Sequence, residues 1–284
     1  MPVTQNEKTI TLKHEQSGSS VEIYFFGATV TSWIQGGKER MFLSSKSTLD
    51  ASKPIRGGIP VVFPIFGPPP SSPPEYAALS QHGFARTQTW TLDKILMDRE
   101  EGISVRLLAP PPPASFNHSY KLAYVITLAP HQLVTDLHLT NTSSSENFIF
   151  QALLHNYLAV PDANKLQITG LDKGVDYKDK VLGGKLCTWE GGVLTIEGET
   201  DRVYQKVPSQ EIKVDDGAGS GFKVRFRGFE DCTIWNPQEK GKSMADMEDG
   251  GWDRYICIEP GFVREFKSLK PGEEFLGQQV ITVL

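Results

Sequence analysis

The chain has 284 residues, of which 39% are hydrophobic and 22% are charged, the balance of a folded globular protein rather than of a disordered chain. Its formal net charge is -5 and no stretch concentrates lysine and arginine, which argues against nucleic acid as a partner. The N-terminus lacks the apolar region of a secretion signal, and no apolar run predicts a membrane span. Three cysteines without CxxC spacing indicate neither a disulfide framework nor a zinc site, so we expect a cytoplasmic protein.

Alternating apolar and polar residues predict a chain made mostly of β-strands. In chain order the pattern marks residues 9–13, 21–26, 102–108, 120–128, 147–154, 193–197, 222–227, 254–259 and 274–284. The inward faces of two of these segments are Tyr120, Leu122, Tyr124, Ile126 and Leu128, and then Phe222, Val224 and Phe226. No helical period of ten or more residues occurs, and glycine pairs and prolines separate the segments. We therefore expect one all-β domain over residues 1–284, with the proline-rich stretch 68–74 as a surface insertion.

Two early loops combine a restricted backbone with polar side chains. Arg56 lies in SKPIRGGIPVVFPIFG, where two glycines allow a tight bend and three prolines stiffen the chain. A lone arginine is most often solvated, but a rigid, shaped loop is also what a binding site needs. QHGFAR supplies Gln81, His82 and Arg86, and it is equally consistent with a solvated turn and with a loop aimed at a ligand.

Two ionisable residues lie at the ends of apolar strands. His155 closes NFIFQALLH on the same face as Gln151 and Leu153, where it is either a satisfied core histidine or a functional one. Glu259 follows Ile-Cys-Ile and precedes Pro-Gly, and burying a carboxylate there costs several kcal/mol unless it is paired or protonated. The residues alone decide neither case.

Weaker candidates follow in the second half of the chain. Asp201 lies in the polar stretch GETDRVYQ, and Trp235 with Asn236 offers an aromatic face beside an amide, which suits sugars and packing equally. Motifs for nucleotide binding, for serine hydrolases and for zinc proteases are missing, and the six histidines show no close HxH spacing. We therefore expect no cofactor and no metal, with a β-sandwich metalloenzyme as an open alternative.

Six motifs in order give the chain a family resemblance: KPIRGGIPVVFPIFG, QHGFAR, FQALLHNYLAV, GETDRVY, TIWNP, and CIEPG followed by LKPGEEF. Together they resemble the hexose-6-phosphate mutarotases, the glucose-6-phosphate 1-epimerase branch of the aldose 1-epimerase family. The resemblance covers nearly the whole chain. It implies a large antiparallel β-sandwich of the galactose-mutarotase type, with the sugar in a cleft on one face.

The resemblance also implies a reaction and its residues. Glu259 would take a proton from the anomeric hydroxyl of a hexose 6-phosphate while His155 donates one to the ring oxygen, so that the ring opens and recloses. The implied substrate contacts are Arg56, Gln81, Arg86 and Asp201, and the secondary candidates are His82, Trp235 and Asn236. Arg86 would bind the phosphate, and we expect the enzyme to act as a monomer without a membrane partner.

Two positions depart from the family pattern, and two other functions stay open. Asn156 stands where relatives often carry threonine, and Phe262 stands where many have a second histidine. Both departures leave the substrate preference more open than the mechanism. The alternatives are an aldose 1-epimerase for unphosphorylated sugars and a sugar-binding β-sandwich module without catalysis.

Overall fold

The computed structural model describes residues 2–284, and most of its regular structure is β-sheet. A five-stranded N-terminal sheet has the order β1-β2-β3-β4-β5. Its strands are β1 Val3–Gln5, β2 Thr9–His14, β3 Ser19–Tyr24, β4 Thr29–Gln35 and β5 Lys38–Glu39. Pairing between consecutive strands is antiparallel throughout, so the sheet is a simple meander.

Sixteen further strands form two eight-stranded sheets within residues 2–284. They are β6 Val61–Val62, β7 Thr91–Arg99, β8 Gly102–Leu108, β9 Tyr120–Ala129, β10 Gln132–Asn141, β11 Phe148–Leu154, β12 Tyr157–Ala159, β13 Gln167–Thr169, β14 Asp176–Asp179, β15 Lys185–Thr188, β16 Thr200–Tyr204, β17 Glu211–Asp215, β18 Gly221–Arg227, β19 Asp231–Asn236, β20 Tyr255–Leu269 and β21 Glu274–Val283. The back sheet has the order β13-β17-β18-β21-β10-β9-β8-β7. The cleft sheet has the order β15-β14-β16-β19-β20-β11-β6, and β12 also pairs with β20.

Helices are short, as the sequence predicts. One α-helical turn, α1, spans Pro74–Ala77, and four 3-10 segments span Ala85–Thr87, Ala163–Lys165, Gln238–Ser243 and Gly251–Arg254. None of the helices in residues 2–284 has the length and hydrophobicity needed to cross a membrane. The proline-rich stretch 68–74 precedes and enters α1, and its residues are exposed or half-exposed, so its expected surface position is confirmed.

The two large sheets bury one continuous hydrophobic core between them, which confirms the all-β sandwich. The core includes Leu122, Tyr124, Ile126 and Leu128 of β9, and also Phe222, Val224 and Phe226 of β18. Tyr120 is half-buried against it. Both predicted inward faces are therefore confirmed, because alternate side chains of a strand point to opposite faces of the sheet.

The strand predicted at residues 193–197 is wrong. Leu194 forms only an isolated bridge with Ile168, and the neighbouring residues pair with no strand. Leu194 and Ile196 are nevertheless buried in the core. Alternation along the sequence reports which side chains are buried, and here the buried segment is a loop with little ladder hydrogen bonding.

Candidate active site

A polar cleft of about 180 Å³ opens on the cleft sheet. The cleft is lined by Arg56, Phe66, Gln81, His82, His155, Lys180, Asp201, Thr233, Trp235, Met244 and Glu259. Seven of the nine residues singled out in the sequence are in this set, although they lie up to two hundred residues apart in the chain. Arg86 and Asn236 are the two that do not line the cleft.

Strand alternation explains why an acid lies at the centre of the sheet. On β20, Ile256 and Ile258 point into the main core, so Glu259 must point to the opposite face. Its register partner on β19 is Thr233, which shares the cleft with it. The sequence Ile-Cys-Ile-Glu thus anchors the strand on one side and presents the carboxyl group on the other.

His155 reaches the same cleft from the end of β11. Its backbone N–H donates to the carbonyl of Pro60 at 3.1 Å, so the chain leaves the strand in a fixed direction. Asn156 is fully buried, donates to the carbonyl of Ile258 at 2.6 Å, and exchanges amide hydrogen bonds with Gln279 at 2.8 Å. The departure at Asn156 therefore ties the histidine loop to β20 from behind, away from the cleft.

His155 and Glu259 contact each other directly. Nδ1 of His155 lies 3.3 Å from Oε1 of Glu259, whose side chain is only 1% exposed. The ring of Tyr157 stacks parallel to the imidazole, with centroids 4.7 Å apart, and fixes its plane. Neither carboxyl oxygen of Glu259 has a well-aligned hydrogen-bond donor within residues 2–284. The cleft thus holds a buried acid whose nearest proton partner is the imidazole.

Burial favours the uncharged forms of both groups. It raises the pKa of Glu259 well above its ordinary value, and the negative charge of Asp201 adds to that effect. Burial also lowers the pKa of His155, and the charges of nearby cationic groups, including Arg56, lower it further. A protonated carboxyl group and a neutral imidazole in contact share one proton between them. Such a pair can move a proton in either direction.

Arg56 is held at one end of the cleft by two partners. Its Nη1 donates to the hydroxyl of Tyr157 at 3.0 Å, and its Nη2 lies 3.1 Å from the carboxylate of Asp246. The same tyrosine therefore supports both the imidazole and the guanidinium. Its own pKa is raised by burial, which keeps the phenol protonated.

Arg86 has no carboxylate partner within residues 2–284. Its Nη2 donates to the backbone carbonyl of Gln81 at 2.9 Å, and its buried Nε has no hydrogen-bond partner there. Burial and the charge of Arg56 lower its pKa to about 10, so it remains cationic at neutral pH. Beside the cleft there is therefore one guanidinium without an ion-pair partner among the described residues.

QHGFAR bends so that Gln81 and His82 line the cleft, and Arg86 contacts the backbone of Gln81 beside it. Both His82 and Gly83 have positive φ, +65° and +70°, and a side chain at Gly83 would meet the carbonyl of Phe63 at 2.2 Å.

Nδ1 of His82 accepts the N–H of Gly67 at 3.1 Å, so a neutral ring carries its proton on Nε2. Burial, with nearby cations, lowers the pKa of His82 to about 3. His82 is thus an uncharged donor beside His155, at 6.1 Å between ring centroids.

Asp201 lies on β16 at the other side of the cleft, and it has a partner that the sequence did not indicate. Nζ of Lys180 lies 3.3 Å from Oδ1 of Asp201 and 4.3 Å from the centre of the Phe66 ring. Lys180 was missed because a lysine between a strand and a glycine pair is indistinguishable from a solvated turn residue. Tyr157 and Asp246 were missed because nothing in the sequence around either residue links it to Arg56.

Two other residues named in the sequence have structural surroundings. Asn236 is fully buried, and its amide donates to the carbonyls of Trp252 and Tyr255 at 2.8 Å each. It anchors the segment after β19 and does not reach the cleft, whereas its neighbour Trp235 does. Phe262 is buried under the cationic groups of Arg264 and Lys267, each 4.6 Å from its ring centre, and does not line the cleft.

One group of metal-capable residues overlaps the acid and the imidazole. The donor atoms of His155, Glu259 and Cys257 all lie within 4.8 Å of one another, and all three residues are buried. Nitrogen, sulfur and carboxylate donors are those that zinc accepts. This group was not visible in the sequence, because Cys257 is next but one to Glu259 and about a hundred residues from His155.

The chain matches known proteins over nearly its whole length. The profile of the aldose 1-epimerase family matches residues 8–282. A Cenchrus ciliaris protein provisionally named glucose-6-phosphate 1-epimerase is 32% identical, over 93% of this chain and 81% of its own. An Escherichia coli protein with the same provisional name is 29% identical, over 90% of this chain and 83% of its own.

Solved structures share the fold. A provisionally named mutarotase from Salmonella typhimurium superposes with a TM-score of 0.86 at 24% identity, over 99% of this chain and 92% of that one. The galactose 1-epimerase from Lactobacillus acidophilus gives 0.75 at 15% identity, over 99% and 96%. The fold is thus the antiparallel β-sandwich of the mutarotases. The chain belongs to the aldose 1-epimerase family and is an isomerase.

The low pKa of His82 makes stability depend on pH. The folded protein keeps His82 neutral down to a pKa of about 3, whereas the unfolded chain binds the proton near 6.5. The contribution of neutral His82 to the free energy of unfolding is therefore complete above pH 6.5, and it is lost progressively as the pH falls toward 3. His82→Asn can keep the positive φ and removes the titration. For His82→Asn between pH 6 and pH 4.5, we expect the free energy of unfolding in urea to change less steeply with pH than in the wild type, by about 1.4 kcal/mol per pH unit. Equal slopes would contradict the assigned neutral state.

Proposed function

We propose that the protein is a glucose-6-phosphate 1-epimerase that interconverts the α and β anomers of hexose 6-phosphates. The observation that carries the proposal is Arg86, a guanidinium beside the cleft without a carboxylate partner within residues 2–284. Two arginines near one buried acid-base pair suit a substrate with an anionic tail, because planar guanidinium groups match phosphate oxygens. The provisional names of the Cenchrus and Escherichia coli relatives support the same substrate.

The proposed chemistry needs one proton that moves between two groups. As the ring opens, Glu259 takes the proton of the anomeric hydroxyl and His155 donates one to the ring oxygen, so the C1–O5 bond breaks to give the open aldehyde. This step turns a carboxylate and an imidazolium into a carboxylic acid and a neutral imidazole. After rotation about C1–C2, the same two groups return the protons, and the ring closes on the opposite face of C1.

The electrostatics of the cleft bear on the starting state of this cycle. Burial favours the uncharged pair, which is the product of ring opening as written, so opening starts from the ionised pair that forms when the proton of Glu259 passes to the adjacent His155. The pair gains and loses no net proton over a turnover. His82, with its proton on Nε2, is suited to donate a hydrogen bond to a substrate oxygen near His155, and Asp201 is suited to accept from the sugar hydroxyls.

The acid-base pair is tested by isosteric substitutions. We expect His155→Asn and Glu259→Gln each to lower kcat by about 100-fold or more with little change in KM, because each removes a proton transfer made in the transition state. The double variant should be little slower than the slower single variant, since the two groups act as a unit. Exchange NMR measures the anomer rates, and circular dichroism with thermal melting checks that the variants fold. Near-wild-type rates in a folded Glu259→Gln protein would assign the base elsewhere.

The phosphate role of Arg86 is tested by substrate comparison. We expect Arg86→Ala to lower kcat/KM for glucose 6-phosphate by about tenfold or more, because a hydrogen bond to a charged group contributes about 1.5 to 3 kcal/mol. The same variant should change kcat/KM for glucose far less. Arg227→Ala, an exposed arginine of β18 on the back sheet, is the control. Equal losses on both sugars would show that Arg86 acts through the fold or the sugar ring.

The same chemistry is expected to proceed without a metal ion. Proton transfer between His155, Glu259 and the sugar needs no Lewis acid, even though Cys257 completes a set of zinc-type donors there. Exhaustive dialysis against EDTA should therefore leave the exchange rate unchanged. The metal-free mechanism would be contradicted if dialysis abolished activity, added zinc restored it, and Cys257→Ala removed the restoration by zinc.

We further propose that residues 1–284 form one domain that acts in the cytoplasm. One hydrophobic core contains residues from both ends of the chain, from Ile10 to Ile281, which supports a single folding unit. All three cysteines are free thiols, which suits a reducing compartment. Fractionation of cells followed by immunoblotting tests the location.

A further inference from the structure

Lys180 is fixed opposite Asp201 by the backbone of the cleft sheet. Its N–H donates to the carbonyl of Asp201 at 2.9 Å, directly beyond the register pair of Asp179 with Arg202. Asp179 and Arg202 form their own ion pair at 3.1 Å, and Asp179 also accepts the N–H of Leu182 at 3.2 Å. Because side chains alternate along a strand, the two ion pairs point to opposite faces, and the sheet delivers Lys180 to the cleft.

The ammonium group of Lys180 is held at the edge of the cleft without being withdrawn from solvent. Its side chain is 36% exposed, and it lies 3.3 Å from Asp201 and over the ring of Phe66. Asp201 offers the cleft only acceptors, whereas an ammonium group has three donors and no acceptor. After binding the carboxylate, Lys180 still has donors free for a ligand.

Separate partners distinguish Lys180 and Asp201 from Arg56. Arg56 contacts Tyr157 and Asp246, and Lys180 contacts Asp201 and Phe66, so the two cations share no contact. Lys180 with Asp201 is also neutral as a unit, so it adds no net attraction for a phosphate.

We propose that Lys180 is a specificity-determining residue that donates to one hydroxyl of the pyranose ring while Asp201 accepts from a neighbouring hydroxyl. The proposal deepens the epimerase assignment and rests on a hexose as the substrate. Adjacent hydroxyls of a sugar each donate and accept, so a lysine next to an aspartate matches two of them at once. In this proposal Lys180 and Asp201 bind the hydroxyls of the sugar ring, and the arginines bind the phosphate.

The role of Lys180 predicts equal effects on phosphorylated and neutral sugars. We expect Lys180→Met to lower kcat/KM about tenfold or more on glucose 6-phosphate and by the same factor on glucose. Lys180→Arg should recover part of the loss. Lys178→Met is the control, because Lys178 lies two residues earlier and lines a separate groove with Lys206 and Arg264. A loss confined to glucose 6-phosphate would assign Lys180 to the phosphate, and no loss on either sugar would remove it from the binding site.

Deoxy sugars separate binding from a structural role. Among the 2-, 3- and 4-deoxy derivatives of glucose 6-phosphate, we expect one to be turned over equally by the wild type and Lys180→Met, because it lacks the hydroxyl that Lys180 recognises. A lysine that only supports the hairpin would affect all three derivatives alike, which would overturn the proposal. The comparison uses ratios of variant to wild type on each sugar. Failure of the phosphate assignment would instead appear in the wild type, as no preference for glucose 6-phosphate over glucose.

Discussion

The site depends on burying Glu259 next to His155. A carboxyl group at 1% exposure, without a hydrogen-bond donor aligned on either oxygen within residues 2–284, cannot remain a free anion at low cost. The imidazole 3.3 Å away is the group that can exchange a proton with it. The buried amide pair of Asn156 and Gln279, and the stacked ring of Tyr157, hold these two groups in contact. A shared proton is the consequence of that constraint.

The surrounding charged groups have different partners. Arg56 is paired with Asp246, whereas Arg86 has no acidic partner in the described chain. Lys180 and Asp201 form a neutral pair. A protein with a net charge of -5 can therefore attract an anion locally, because the field in a cleft depends on the groups that line it.

Much of the fold follows from alternation along the sequence, and some of it does not. FKVRFR and YKLAYVITL have their apolar residues in the core, as predicted, because the period of two is fixed by the strand backbone. Residues 193–197 alternate equally well without forming a strand, since a buried loop produces the same pattern. Short strands such as β6 and β12 escaped prediction because two or three residues cannot establish a period. The longer strands β4, β7 and β10 also lie outside the predicted segments.

By itself, the sequence determined the all-β architecture, the family and seven residues that line the cleft, because these depend on local pattern and on ordered motifs. Tertiary structure alone decided that Lys180 faces Asp201 and that Tyr157 joins His155 to Arg56. It also decided that Asn236 is turned into the interior and that Arg86 is bonded to the backbone carbonyl of Gln81. The physical reason is that strand register and loop closure set which side chains meet across the sheet, and neither is encoded in the spacing of residues along the chain.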